Sequence, residues 1–178
     1  MKILFCDNSL RELLNFRGDV IRSYAAEGHE VVLVAPQTCE YELELSNIRH
    51  IPVTMERSGM NPLHELRYLW TLCRIYRKER PDYIFHYTIK PNIYGSLAAR
   101  LCGISSTAMI AGLGYVFNKG GIGSAVARGL YRFAMRFPEH VLVLNAYNRS
   151  VLLENKIATD RQLILLHGGE GINLEHFN

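Results

Sequence analysis

The sequence lacks the usual marks of a metal, disulfide or P-loop protein. Its four cysteines, Cys6, Cys39, Cys73 and Cys102, lie far apart with no Cys-x-x-Cys pair. That argues against a zinc knuckle and a disulfide framework, and it leaves reduced core thiols. There is no His-Glu-x-x-His, no Asp-x-Asp, no glycine followed by Lys-Ser or Lys-Thr, and no Gly-x-Ser-x-Gly. The signatures of a zinc protease, a metal–phosphate clamp, a P-loop and a serine-hydrolase elbow are therefore missing. No apolar run approaches the ~18 residues of a membrane span. A net charge of +3 does not by itself point to nucleic acid. Lys2 leads straight into Ile3-Leu4-Phe5-Cys6, which reads as a strand rather than a signal peptide.

What is present is a βα rhythm from end to end. Ile3–Cys6 and Val31–Ala35 read as buried strands. Asp7–Arg17 reads as a polar loop and Gly18–Glu27 as a helix stopped by Gly28. A short helix is expected over Thr38–Leu45 and a third strand over Arg49–Val53. Pro62–Glu79 is expected to be helical, with Leu66, Leu69, Cys73 and Tyr76 on its core side. A fourth strand starts at Tyr83, a helix spans Pro91–Leu101, and a fifth strand covers Thr107–Ala111. After the Gly112–Gly123 loop, Ser124–Phe137 is an amphipathic helix with a stripe of Val126, Leu130, Phe133 and Phe137. Val141–Leu144 and Leu163–Leu166 are strands on either side of a helix over Ala146–Glu154. The expected fold is α/β: a Rossmann-like three-layer α/β/α sandwich around a parallel sheet of about seven strands.

The stretch Tyr83–Ser96 concentrates the chemistry. Its strand delivers His86, Tyr87, Thr88 and Lys90 to the start of a helix. Pro91 suits the first helical position, which makes Lys90 the expected N-cap beside free N–H donors and the positive end of the dipole. That combination suits a ligand polar at one end and anionic at the other. His86 is a candidate general base or sugar-hydroxyl partner. Asn15-Phe16-Arg17-Gly18 places Arg17 at the opening of the first helix, where it suits an anion. Gly112-Leu113-Gly114-Tyr115 starts like a dinucleotide fingerprint but lacks the third glycine and follows the wrong strand. A flexible loop whose backbone approaches a ligand fits better. Arg128, Arg132 and Arg136 line one side of a helix, and Arg67, Arg74, Arg77 and Lys78 give a second basic face. Both suit an anionic bilayer.

Five stretches in order resemble the GT-B glycosyltransferases of family 4. They are Asn15–Gly18, Arg57-Ser58-Gly59-Met60-Asn61-Pro62, Tyr87–Ser96, Gly112–Phe117 and Gly169-Glu170-Gly171-Ile172-Asn173. The likeness is nearest to the bacterial branch that extends undecaprenyl-diphosphate-linked sugars for capsule, O-antigen or glycan assembly. It implies that residues 1–167 form the acceptor-binding Rossmann-like domain and that 168–178 begin an interdomain connector. The donor-binding C-terminal domain would then lie outside this chain, so this half alone should not turn over.

The resemblance further implies a retaining transfer of a hexose or N-acetylhexosamine from a UDP-sugar, with no metal and no cofactor. The acceptor would be a lipid-linked saccharide, met at the inner face of the plasma membrane. Many relatives carry His-x-His near the end of the fourth strand; here Phe85-His86-Tyr87 puts Tyr87 in the place of the second histidine. Tyr87 and His86 are thus the catalytic candidates. Arg17, Gly18, Lys90, Asn92, Gly112, Gly114, Tyr115 and Glu170 are the binding candidates, with Lys90 placed on the acceptor diphosphate. A non-catalytic subunit of a split enzyme and a GT-B nucleotide-sugar epimerase are the alternatives. A nicotinamide enzyme is disfavoured by the absent fingerprint.

Overall fold

The computed structural model describes residues 1–40, 45–56, 61–113 and 122–169. Seven parallel strands form one sheet in the order β3-β2-β1-β4-β5-β6-β7. They are β1 (Lys2–Cys6), β2 (Glu30–Ala35), β3 (Ile48–Pro52), β4 (Tyr83–Tyr87), β5 (Ser106–Ile110), β6 (His140–Val143) and β7 (Leu163–Leu165). Among the described residues five α-helices connect them: α1 (Leu10–Ala26), α2 (Pro62–Glu79), α3 (Ser96–Cys102), α4 (Ile122–Ala134) and α5 (Ala146–Glu154). A π-helical turn over Pro91–Gly95 leads into α3. The Rossmann-like α/β expectation is met. The strand order reverses between β1 and β4, the place where open α/β sheets open a crevice at their carboxyl edge.

The central strands are buried on both faces because helices lie on both sides, unevenly. Leu4, Cys6, Val32, Val34 and Ile84 pack under α2 and α3. Ala108, Ile110, Val141 and Val143 pack under α4 and α5. The register Leu4–Ile84, His86–Ala108 and Ala108–Val141 puts all four helices on one face. On the other face, Ile3, Phe5, Val31 and Leu33 pack against α1. Beyond α1, Leu142, Ile164 and Leu166 are only half-buried or exposed among the described residues.

Several local expectations are corrected. The first helix begins at Leu10, not Gly18, because Ser9 caps it by accepting from the Glu12 N–H at 3.3 Å. Of the helix expected over Thr38–Leu45, residues 38–40 are irregular and 41–44 lie outside the described residues. The core side of α2 is Glu65, Tyr68, Leu72, Cys73, Tyr76 and Glu79, while Leu66 is exposed. On α4, Val126 and Phe133 are each 50% exposed, and Tyr131 with Ala134 turns inward. Of the expected stripe Leu130 does pack against the core, alongside Tyr131 and Ala134, while Val126 and Phe133 are left outside.

Candidate functional site

The carboxyl edge of the sheet holds a cleft of about 550 Å³. Its walls come from the ends of three neighbouring strands and from α1. Asp7 and Asn8 follow β1, Thr88 and Lys90 follow β4, and Ala111 and Gly112 follow β5. Glu12, Phe16 and Arg17 reach in from α1, and Tyr87 closes the floor. A second cavity of about 460 Å³ lies beside it, between the end of β3 and α2, and shares Met55 and Lys90 with the first.

Tyr87 and His86 point to opposite faces, as the strand period requires. Tyr87 lies on the cleft side with its ring parallel to Phe5, centroids 6.3 Å apart. The Arg17 guanidinium stands 4.7 Å from the centroid of Tyr87. Arg17 is a buried mid-helix residue, not a helix-opening one, because α1 starts eight residues earlier than expected. It is brought to Tyr87 all the same. Gly18 lies inside α1 and is absent from the cleft wall. A helix interior offers no free N–H donors, so Gly18 is not placed for the binding expected of it.

His86 is withdrawn from the chemistry by its packing. It is fully buried on the α2–α3 side, with Nε2 3.0 Å from the Tyr76 hydroxyl. Burial pushes its pKa down to about 3, so it stays neutral. It does not line the cleft.

Lys90 is helical, not extended: φ is −70° and ψ is −46°. Thr88 takes up the turn instead, with φ of 66°, a conformation rare for a β-branched residue. The Lys90 ammonium pairs with the Glu65 carboxylate of α2, and both side chains are largely buried. Its charge is therefore largely matched before any ligand arrives. Asn92 is buried, and its Nδ2 donates to the Met109 carbonyl at 2.8 Å. It ties the helix start to β5 and forms part of the cleft lining. Gly112 lies exposed at the cleft edge. Gly114, Tyr115 and Glu170 fall outside the described residues. Among the described residues no three His, Cys, Asp or Glu side chains gather as a metal site.

Two site residues went unread in the sequence. Asp7 ends up buried at the head of the cleft. Glu65 neutralises Lys90. The Ser9-x-x-Glu12 pattern, a helix-start signature, would have ended the loop at Asn8 and brought Asp7 to the cleft.

This chain matches the family described as glycosyl transferase 4-like over residues 2–145. It belongs to that family. It is 26% identical over 189 residues to the N,N'-diacetylbacillosaminyl-diphospho-undecaprenol alpha-1,3-N-acetylgalactosaminyltransferase of Campylobacter jejuni, covering 99% of this chain and 48% of that protein. A glycosyltransferase structure from Rickettsia africae superposes with a TM-score of 0.67 at 15% identity, over 99% of this chain and 45% of that one. The UDP-GlcNAc 2-epimerase of Methanocaldococcus jannaschii superposes with a TM-score of 0.65 at 14% identity, over 93% and 45%. These two structures show the shared fold. The chain thus spans about half the length of the relatives it matches.

Proposed function

We propose that this chain is the acceptor-binding half of a glycosyltransferase that moves a hexose or N-acetylhexosamine from a UDP-sugar to an undecaprenyl-diphosphate-linked saccharide. The transfer retains anomeric configuration, needs no metal ion, and serves surface polysaccharide or glycan assembly. One observation carries this reading: nearly the whole chain aligns with an enzyme whose name specifies sugar transfer involving a diphospho-undecaprenol saccharide. The cleft is consistent with it, being polar at Asp7, Asn8 and Thr88 and flat and apolar at Phe16 and Tyr87.

The reaction joins an acceptor hydroxyl oxygen to the donor's anomeric carbon as the bond from that carbon to UDP breaks, and the hydroxyl proton passes to the departing phosphate oxygen. Residues of this half hold and orient the acceptor, which removes much of the entropic barrier. Phe16, half-exposed in the cleft wall, supplies a face for a sugar ring. Arg17, held over the Tyr87 ring, adds positive charge near the phosphate end. The donor half lies outside this chain.

A polyprenyl acceptor stays in a bilayer, and the helical layer suits an anionic surface. On α4, Val126 and Phe133 face solvent beside exposed Arg132, and exposed Arg136 follows in the turn just after the helix. On α2, Leu63, Leu66 and Trp70 are exposed beside Arg67 and Arg74. Apolar residues that enter the headgroup region with arginines around them are what an interfacial helix needs. Among the described residues no helix is long and apolar enough to cross a membrane. We place the enzyme on the inner face of the plasma membrane.

The test is a donor screen with the full-length protein and a short-chain polyprenyl-diphosphate saccharide. Transfer from a UDP-sugar with retained configuration, unaffected by a chelator, supports the reading. Interconversion of a UDP-sugar without acceptor would replace it with an epimerase.

A further inference from the structure

The carboxylate of Asp7 sits where the sheet reverses, at the head of the cleft, and the fold tolerates it there at a cost. Asp7 is 4% exposed and belongs to the cleft wall. Its backbone N–H continues the β1 ladder, donating to the Val34 carbonyl at 3.1 Å. The side chain is thereby fixed to a rigid strand end. Its Oδ1 accepts from the Asn8 N–H and faces the Thr88 hydroxyl at 3.5 Å. Thr88 stands there with a positive φ, the one non-glycine residue of that kind lining this cleft among the described residues. Strain of this kind persists where the surroundings impose it, often at ligand sites. Two elements thus converge on one point: a buried carboxylate from β1 and a hydroxyl held in a strained turn after β4.

A buried carboxylate is unfavourable unless something uses its acceptor oxygens. Asp7 is raised to about 6, by burial first, with the Asn8 N–H, Arg17 and the Ser9 N–H drawing it down and Glu12 pushing it up. A neutral, hydroxyl-rich ligand is the chemistry that fits: a carboxylate accepts from a sugar hydroxyl strongly, and Thr88 both donates and accepts. We propose that Asp7, with Thr88, binds one hydroxyl of the acceptor saccharide in the cleft and so selects which hydroxyl is presented for transfer. This inference rests on the acceptor-cleft reading above.

The test uses the full-length protein, a short-chain polyprenyl-diphosphate-linked saccharide, and the set of its monodeoxy analogues. Asp7→Ala should weaken acceptor binding about 10–100-fold, the range for a hydrogen bond to a charged group. One monodeoxy analogue should bind wild type equally weakly, yet lose nothing further with Asp7→Ala. Asp7→Asn, which keeps the shape, should fall between the two. The groups facing Asp7 are Arg17 and Glu12 of α1, Cys6 of β1 and Tyr68 of α2. Cys6 is pushed up to about 12 and Tyr68 well above its ordinary value, so neither titrates near 6. Wild-type affinity should therefore drop as pH falls through about 6, and Asp7→Asn should remove that drop. Equal losses for every deoxy analogue in wild type and Asp7→Ala would overturn the contact while leaving the acceptor cleft standing. No binding by wild type at all would overturn the functional reading, and the contact with it.

Discussion

The imidazole of His86 occupies the space that a side chain at Gly95 would need. A Cβ at Gly95 would sit 2.6 Å from His86 Nε2 and closer still to Cδ2. Gly95 has ordinary helical angles, φ −66° and ψ −44°, so the position demands glycine for room rather than for conformation. In open helix, Gly→Ala would gain roughly 0.5–1 kcal/mol. Here we expect Gly95→Ala to destabilise by about 1–3 kcal/mol, because a fully buried ring has nowhere to move. Combining it with His86→Ala should return part of that loss, read as a coupling energy in urea unfolding. Additive effects would mean that the ring and the turn do not press on each other.

Lys90 and Glu65 stand between the two cavities as a largely buried pair. Removing one partner strands the other's charge. Lys90→Ala should cost about 3–5 kcal/mol of stability, whereas Lys90→Met with Glu65→Gln should be near neutral. Activity then separates two roles. If the double variant of the full-length protein transfers sugar normally, Lys90 is a wall. If it folds as wild type yet loses acceptor affinity tenfold or more, Lys90 leaves Glu65 to meet the diphosphate.

Asp7 should weaken the fold at neutral pH. Its carboxyl is raised from the ordinary 3.8 to about 6, so the folded state binds more protons than the unfolded state between those values. Stability therefore falls as pH rises through that window. Asp7→Asn should be more stable than wild type at pH 7 by about 1–3 kcal/mol, with the gap closing below about pH 4. Thermal or urea unfolding across pH 3–8 measures it. A destabilised Asp7→Asn at pH 7 would show the carboxylate to be a support of the fold.

Glu79 should behave with the opposite sign. Its hydrogen bonds and ion pair with Arg49 hold its carboxyl below the ordinary 4.5. A depressed carboxyl contributes stability above the unfolded value and loses it as pH falls through the folded one. Arg49 is 42% exposed, which limits the gain to about 1 kcal/mol. Glu79→Gln should thus be less stable than wild type at pH 7 and equal to it in strong acid.

The sheet was legible because apolar runs such as Val31–Ala35, bounded by Gly28 and Pro36, speak for themselves. The helix faces were less so. On α2 the sequence favours Leu66, yet the structure buries its neighbour Glu65, and the reason is a lysine 25 residues away. On α4, Val126 and Phe133 compete with Tyr131 and Ala134, and periodicity alone does not choose. For the site, alternation along β4 separates Tyr87 from His86. Which of them meets the cleft depends on where α1, α2 and α3 dock, a non-local outcome. Arg17 reached the cleft from a helix position the sequence did not suggest.

The exposed stripe of α4 is the last testable feature. Had Val126 and Phe133 faced the core, only charge would have drawn this helix to a bilayer. With both outside beside Arg132 and Arg136, two contributions are separable. Arg132→Glu with Arg136→Glu should weaken binding to phosphatidylglycerol vesicles about tenfold or more, at about 1 kcal/mol per basic residue, and the loss should vanish in high salt. Arg128 is half-buried and already engaged, so it is left unchanged. Phe133→Ser should weaken binding at every salt concentration, because it removes buried apolar area rather than charge. Both losses should follow in sedimentation of the protein with vesicles. Unchanged sedimentation of the two variants would take α4 off the membrane and leave its apolar stripe to another partner.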